Sequence, residues 1–144
     1  MARPELRASG QLPWGRLMND GRGTILVVDD DSVLRRLLGT VLKLRGYTVL
    51  PAEDGVQALK VLGDHDGKVD LVLVDIIMPV MDGWDAIKIL KEDESTKSIP
   101  VIALSAHAME EHRERAMAAG ADDYDTKPVD LERLLGKINS QLPS

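Results

Sequence analysis

The stretch Val69 to Asp75, VDLVLVD, constrains the fold more than any other. Apolar residues run almost unbroken to Val74 and stop on a carboxylate. Such a run fits a strand covered on both faces, as in a parallel sheet with helices above and below. Loop signals follow: Pro79 cannot donate to a strand ladder, and Gly83, after Met81 and Asp82, allows unusual backbone angles. Asp75 is therefore predicted at the carboxyl end of a buried strand, where open α/β sheets bind ligands.

From Thr24 onward, strands and helices alternate. Short apolar strands are predicted at 24–28, 47–50, 69–74, 100–104 and 122–125. Between them, apolar residues recur at helical spacing. Leu34, Leu37, Leu38, Val41 and Leu42 mark the first helix, which Gly46 ends. Further helices are predicted over 52–62, 84–92, 106–119 and 129–142. The fourth carries Glu110, Glu111, Arg113, Glu114 and Arg115 with few large apolar residues, so it should be the least firmly docked. Strands joined by helical crossovers require a parallel sheet with right-handed connections. The expected fold is a doubly wound α/β domain of five β/α units, with its ligand site near the carboxyl ends of the first and third strands.

Composition narrows the function. The chain has 144 residues, a single-domain length. With two Trp, two Tyr and no Phe, its core must be aliphatic. The absence of Cys excludes disulfides, thiolate metal sites and a Cys nucleophile, and fits a reducing cytosol. No apolar stretch approaches the roughly 20 residues of a membrane-spanning helix. A net charge of −6 argues against a general nucleic-acid surface. Residues 1–23 carry Arg3, Arg7, Arg16 and Arg22 against Glu5 and Asp20, a net +2 that leaves −8 for the remainder. Rich in Gly and Pro and lacking a period, this leader reads as a disordered extension. Translation from Met18 would remove most of it.

The chemistry lies at the strand ends. Asp29 and Asp30 follow the first strand, Asp75 ends the third, Ser105 follows the fourth and Lys127 the fifth. The topology brings all of them to one edge of the sheet. Three crowded carboxylates repel unless a cation joins them, and a hard divalent ion with oxygen ligands, Mg²⁺ best of all, suits the set. Such an ion commonly completes its shell with phosphate oxygens. No GxxxxGK[ST] loop is present to hold a nucleotide, so a phosphoryl group would end on a side chain, with Asp75 as the carboxylate nucleophile. Each residue also has a plainer role: Asp31 as a helix cap, Asp82 as a turn and cap residue, Ser105 as a turn hydroxyl, Lys127 as a solvated charge.

Taken together, Leu26-Val27-Val28-Asp29-Asp30, Asp75 with Met78-Pro79 and Met81-Asp82-Gly83, Ser105-Ala106 and Lys127-Pro128 resemble the signature of receiver domains of two-component response regulators. The resemblance spans about 24–142, and no output domain is expected after it. It implies a flavodoxin-like sheet of strand order 2-1-3-4-5. It also implies that Asp75 accepts a phosphoryl group from a histidine kinase or histidine phosphotransfer protein. Mg²⁺ would be held by Asp30, Asp75 and the Ile77 backbone carbonyl, with Asp29 orienting metal waters. Lys127 would pair with the phosphoryl group, Ser105 would hydrogen-bond it, and Tyr124 would be the switch aromatic that turns inward. The Lys127-Pro128 bond would be cis. The downstream partner would dock on the face of the fourth helix, fifth strand and fifth helix.

Two positions depart from chemotaxis-type members: Ile77 is apolar where some relatives are polar, and His107 lies two residues after Ser105. Both are candidates for tuning dephosphorylation by excluding or positioning water. Two other readings compete. Asp29-Asp30-Asp31-Ser32-Val33 matches the short DxDx(T/V) pattern of haloacid-dehalogenase-like phosphatases, with Asp29 as nucleophile. The domain could also be an interaction module that is never phosphorylated.

Overall fold

The computed structural model describes residues 21–76, 81–106 and 110–142. Five strands, β1 (Thr24–Val28), β2 (Thr48–Ala52), β3 (Leu71–Asp75), β4 (Val101–Ser105) and β5 (Asp123–Thr126), alternate with five helices. The helices are α1 (Ser32–Leu44), α2 (Gly55–Asp64), α3 (Gly83–Glu92), α4 (Glu110–Ala119) and α5 (Leu131–Gln141). All strand pairs are parallel and the sheet order is β2-β1-β3-β4-β5, the doubly wound arrangement the sequence predicts.

The apolar runs divide by residue parity, because successive side chains on a strand point to opposite faces. Leu26, Val28, Val72, Val74 and Ala103 pack with Ala58, Leu62, Ile87, Leu90 and Ala116 beneath α2, α3 and α4. Ile25, Val27, Leu71, Leu73, Ile102 and Leu104 pack with Leu38, Leu42, Leu134 and Ile138 beneath α1 and α5. Both faces are covered, which is why β3 and β4 tolerate no polar residue before their ends.

Aspartates set the helix starts. Asp31, Asp54, Asp82 and Asp130 each accept a backbone N–H of the first turn of α1, α2, α3 and α5. These caps explain two boundary shifts: α2 begins after Asp54 rather than at 52, and α5 after Asp130 rather than at 129. Strand β2 runs on through Pro51, which an edge strand permits because one side of it needs no donor. Gly46 follows α1 with a φ of 95°, as its place after the helix requires. In α4 only Ala116 is buried, in keeping with the expected weak docking.

Gly83 lets α3 start directly against the end of β3. Its N–H donates to the Ile76 carbonyl at 3.0 Å, and a Cβ there would overlap the Asp75 carbonyl oxygen and Ile76 Cα. Gly83→Ala is expected to lower the unfolding free energy by about 2 kcal/mol or more in urea titration. Gly136→Ala, in the interior of α5 with open space around it, should instead be neutral or stabilising by up to about 1 kcal/mol.

Candidate functional site

Four of the five strands deliver a side chain to one end of the sheet. Asp29 leaves β1 with its N–H on the Ala52 carbonyl at 3.1 Å, and its Oδ1 accepts the Asp31 N–H at 2.9 Å. Asp75 ends β3 and Ser105 ends β4, while the Lys127 N–H donates to the Ser105 carbonyl at 2.8 Å. Asp29, Asp75 and Ser105 are all buried, and Asp30 is exposed. The Lys127-Pro128 peptide is cis.

The Lys127 ammonium joins the two buried carboxylates. Nζ lies 2.9 Å from Asp29 Oδ2 and 3.1 Å from Asp75 Oδ2. The Asp29 contact is an ion pair by distance, but no donor is well aligned on Oδ2. Burial by itself would lower the Lys127 pKa; contact with Asp29 and the charges of Asp29 and Asp75 outweigh it and hold the ammonium above the usual lysine range.

One carboxylate oxygen from each of Asp29, Asp30 and Asp75 falls within 4.8 Å of the others. The donor set is all oxygen, one member faces solvent, and Asp29 Oδ2 is buried with no aligned donor. These residues fit a hard divalent cation that keeps part of its water shell.

The remaining predicted residues are placed as follows. Tyr124 is 7% exposed and packs in the core beneath α2, α3 and α4, so its ring is already inside. Asp31 and Asp82 are helix caps, their plainer reading. Ile77 and His107 lie outside the described residues.

Three groups of contacts carried no sequence signal. Arg35 Nη1 donates to the Asp29 carbonyl at 2.6 Å, bracing the acidic turn from α1. Arg133 Nε donates to buried Asp125 at 2.7 Å, and Lys137 to the Tyr124 carbonyl at 2.7 Å, tying α5 to β5. The Arg115 guanidinium sits 3.8 Å over the Trp84 ring, and the His112 ring packs at a tilt of 47° against the same ring, joining α4 to α3. Arginines at helical spacing look the same whether solvated or buried, so only the fold reveals these partners.

The family model for the response regulator receiver domain matches residues 25–139. The chain belongs to that family. Protein PilG of Pseudomonas aeruginosa is 37% identical over 120 residues, covering 83% of this chain and 87% of PilG. Among solved structures, the chemotaxis protein CheY4 of Vibrio cholerae superposes with a TM-score of 0.78 at 29% identity, covering 83% of this receiver and 98% of that chain. CheY in a CheX–CheY complex with BeF₃ and Mg²⁺ from Borrelia burgdorferi gives 0.76 at 28%, covering 82% and 87%. The receiver spans about half the length of several other curated relatives it matches. Receiver domains are phosphoacceptor modules of two-component phosphorelays and bind Mg²⁺ at an acidic pocket. This membership displaces the phosphatase reading of Asp29.

The raised Lys127 pKa fixes the sign of its pH dependence. Its stabilisation is fully present below the ordinary lysine value near about 10.4 and is lost as pH rises through the higher folded-state value. Lys127→Ala is expected to destabilise the metal-free receiver by about 2 kcal/mol, less than for a wholly buried pair because the Lys127 side chain is 19% exposed. In urea titrations the gap to the parent should stay constant from about pH 6 to about pH 9 and close above about pH 10.

Proposed function

We propose that this receiver accepts a phosphoryl group on Asp75 from a histidine kinase or histidine phosphotransfer protein, and that phosphorylation changes its docking to a partner. The observation that carries the reading is the Lys127 ammonium 3.1 Å from Asp75, beside the carboxylates of Asp29 and Asp30. In the transfer, an Asp75 carboxylate oxygen bonds to phosphorus as the phosphorus–nitrogen bond of a phosphohistidine breaks, the electron pair staying on the imidazole. The transition state is loose and its charge lies on the phosphoryl oxygens, so positioned positive charge is what the site must offer.

Each side chain has a distinct task. Asp75 is the nucleophile. Lys127 holds the carboxylate in place beforehand and meets a phosphoryl oxygen afterwards. Ser105 offers a hydroxyl from the neighbouring strand, and the small, exposed Ala106 leaves room for a bulky donor. Asp29, Asp30 and Asp75 would hold Mg²⁺, which when bound supplies positive charge to the phosphoryl oxygens. The grouping of acid, hydroxyl and lysine favours this reading over a module that is never phosphorylated.

The output face is formed by α4, β5 and α5. Since α4 buries only Ala116 and is joined to α3 by the Trp84 stack, a small shift at Ser105 can re-weight its positions. Residues 24–142 act as the receiver unit in this scheme, and residues 1–23 as a basic extension of it.

With acetyl phosphate as donor, phosphoryl incorporation should require Mg²⁺ and be abolished by EDTA. Lys127→Ala should slow it roughly 100-fold, and Ser105→Ala should slow it less. Incorporation at the parental rate in EDTA, or an unaltered rate in Lys127→Ala, would contradict the assignment.

A further inference from the structure

A groove of about 270 Å³ runs between α1 and the edge strand β2, apart from the acidic pocket. The helix lines it with Ser32, Arg35, Arg36, Gly39, Thr40 and Lys43. Spacings of three and four residues put these side chains on one side of α1. The chain is acidic, at −6, yet this lining holds three cations and no acid. No ion pair engages Arg35, Arg36 or Lys43 among the described residues. Arg35 is anchored by its bond to the Asp29 carbonyl, which fixes its guanidinium toward the amino-terminal end of the groove.

The opposite wall is apolar. Val49 and Pro51 of β2 form it, and Pro51 removes a donor from the strand edge, which disfavours occupation by an added strand. Gly39 deepens the floor. It stands inside a helix, where glycine is the poorest former after proline, without a positive φ and without a close neighbour. A Cβ there would meet only Val49 Cγ1, at 3.7 Å, an ordinary contact. Packing therefore does not require this glycine; what it provides is open volume.

Size and donor set together select the occupant. The volume lies just below the roughly 300–1,000 Å³ usual for small-molecule sites, and a stable protein partner would cover about 800 Å² of surface. Guanidinium, ammonium and hydroxyl donors lining one groove suit a tetrahedral phosphate better than a single carboxylate. We propose that the α1–β2 groove binds a small phosphate monoester of about the size of a nucleoside monophosphate. Its phosphate rests on Arg36 and Lys43, and its body on Val49 and Pro51. The site does not depend on Asp75 accepting a phosphoryl group.

AMP titrated into the ¹⁵N-labelled full chain, with EDTA present to keep metal from the acidic pocket, tests this by amide shifts. AMP should shift Gly39, Thr40 and Val49 saturably with a Kd below about 1 mM, and adenosine should not. Arg36→Gln with Lys43→Gln should weaken AMP at least tenfold, Gly39→Ala should weaken it by filling the floor, and Asp75→Asn should bind like the parent. Retained amide dispersion in each variant confirms folding. Absence of saturation, shifts confined to the acidic pocket, undiminished binding by the double variant, or saturation of these amides by a hexaglutamate peptide but not by AMP would each overturn the proposal.

Discussion

The ammonium of Lys127 between Asp29 and Asp75 is the interaction on which the functional end of this molecule depends. Two carboxylates taken out of water at the ends of adjacent strands repel each other, and a fold that placed them there without a cation would be strained toward separating β1 from β3. Lys127 comes from beyond β5, two strands from Asp75 across the sheet. Its backbone N–H is fixed to Ser105, so the contact closes the site from β1 to β5. A single residue thus links four strand ends, with its ammonium on two of them, its backbone N–H on the third and its own strand the fourth.

The rest of the domain holds those strand ends in place, and its helices differ in how much apolar surface they bury. Beneath α1 and α5, large aliphatic side chains interlock, and α5 is further tied to β5 through Arg133 and Lys137. On the opposite face, α2 and α3 pack on the sheet, whereas α4 contributes little apolar area and depends on cation–π and stacking contacts to Trp84. Contacts of that kind are weak and geometry-dependent, so α4 is held less firmly than the other helices. Gly83 keeps Trp84 close to the end of β3, giving Asp75 and α4 a short physical connection.

The architecture was legible because the three central strands, β1, β3 and β4, are buried on both faces, which writes each into the sequence as a continuous apolar run with an abrupt polar end. VVDD, LVLVD, IALS and the residues before Lys127 announce both the strands and the site, since their ends share one edge. Boundaries set by side-chain capping were read less well. Asp54 and Asp130 could equally have been loop residues, and only their bonds to the next turn define where α2 and α5 begin. Partners of long polar side chains were not legible at all. Arg35 on the Asp29 carbonyl, Arg115 on Trp84 and Arg133 on a buried Asp125 join residues whose meeting depends on the assembled fold, and a solvated arginine would have left the same trace.

The proposed acceptor, Asp75, is the most direct point of attack. Protein treated with acetyl phosphate and Mg²⁺ can be reduced with borohydride, which converts an aspartyl phosphate to homoserine, and then mapped by peptide mass spectrometry. Homoserine is expected at position 75 alone. Homoserine at position 29 or 30 with Asp75 intact, or no conversion under conditions that label another receiver, would contradict the role of Asp75.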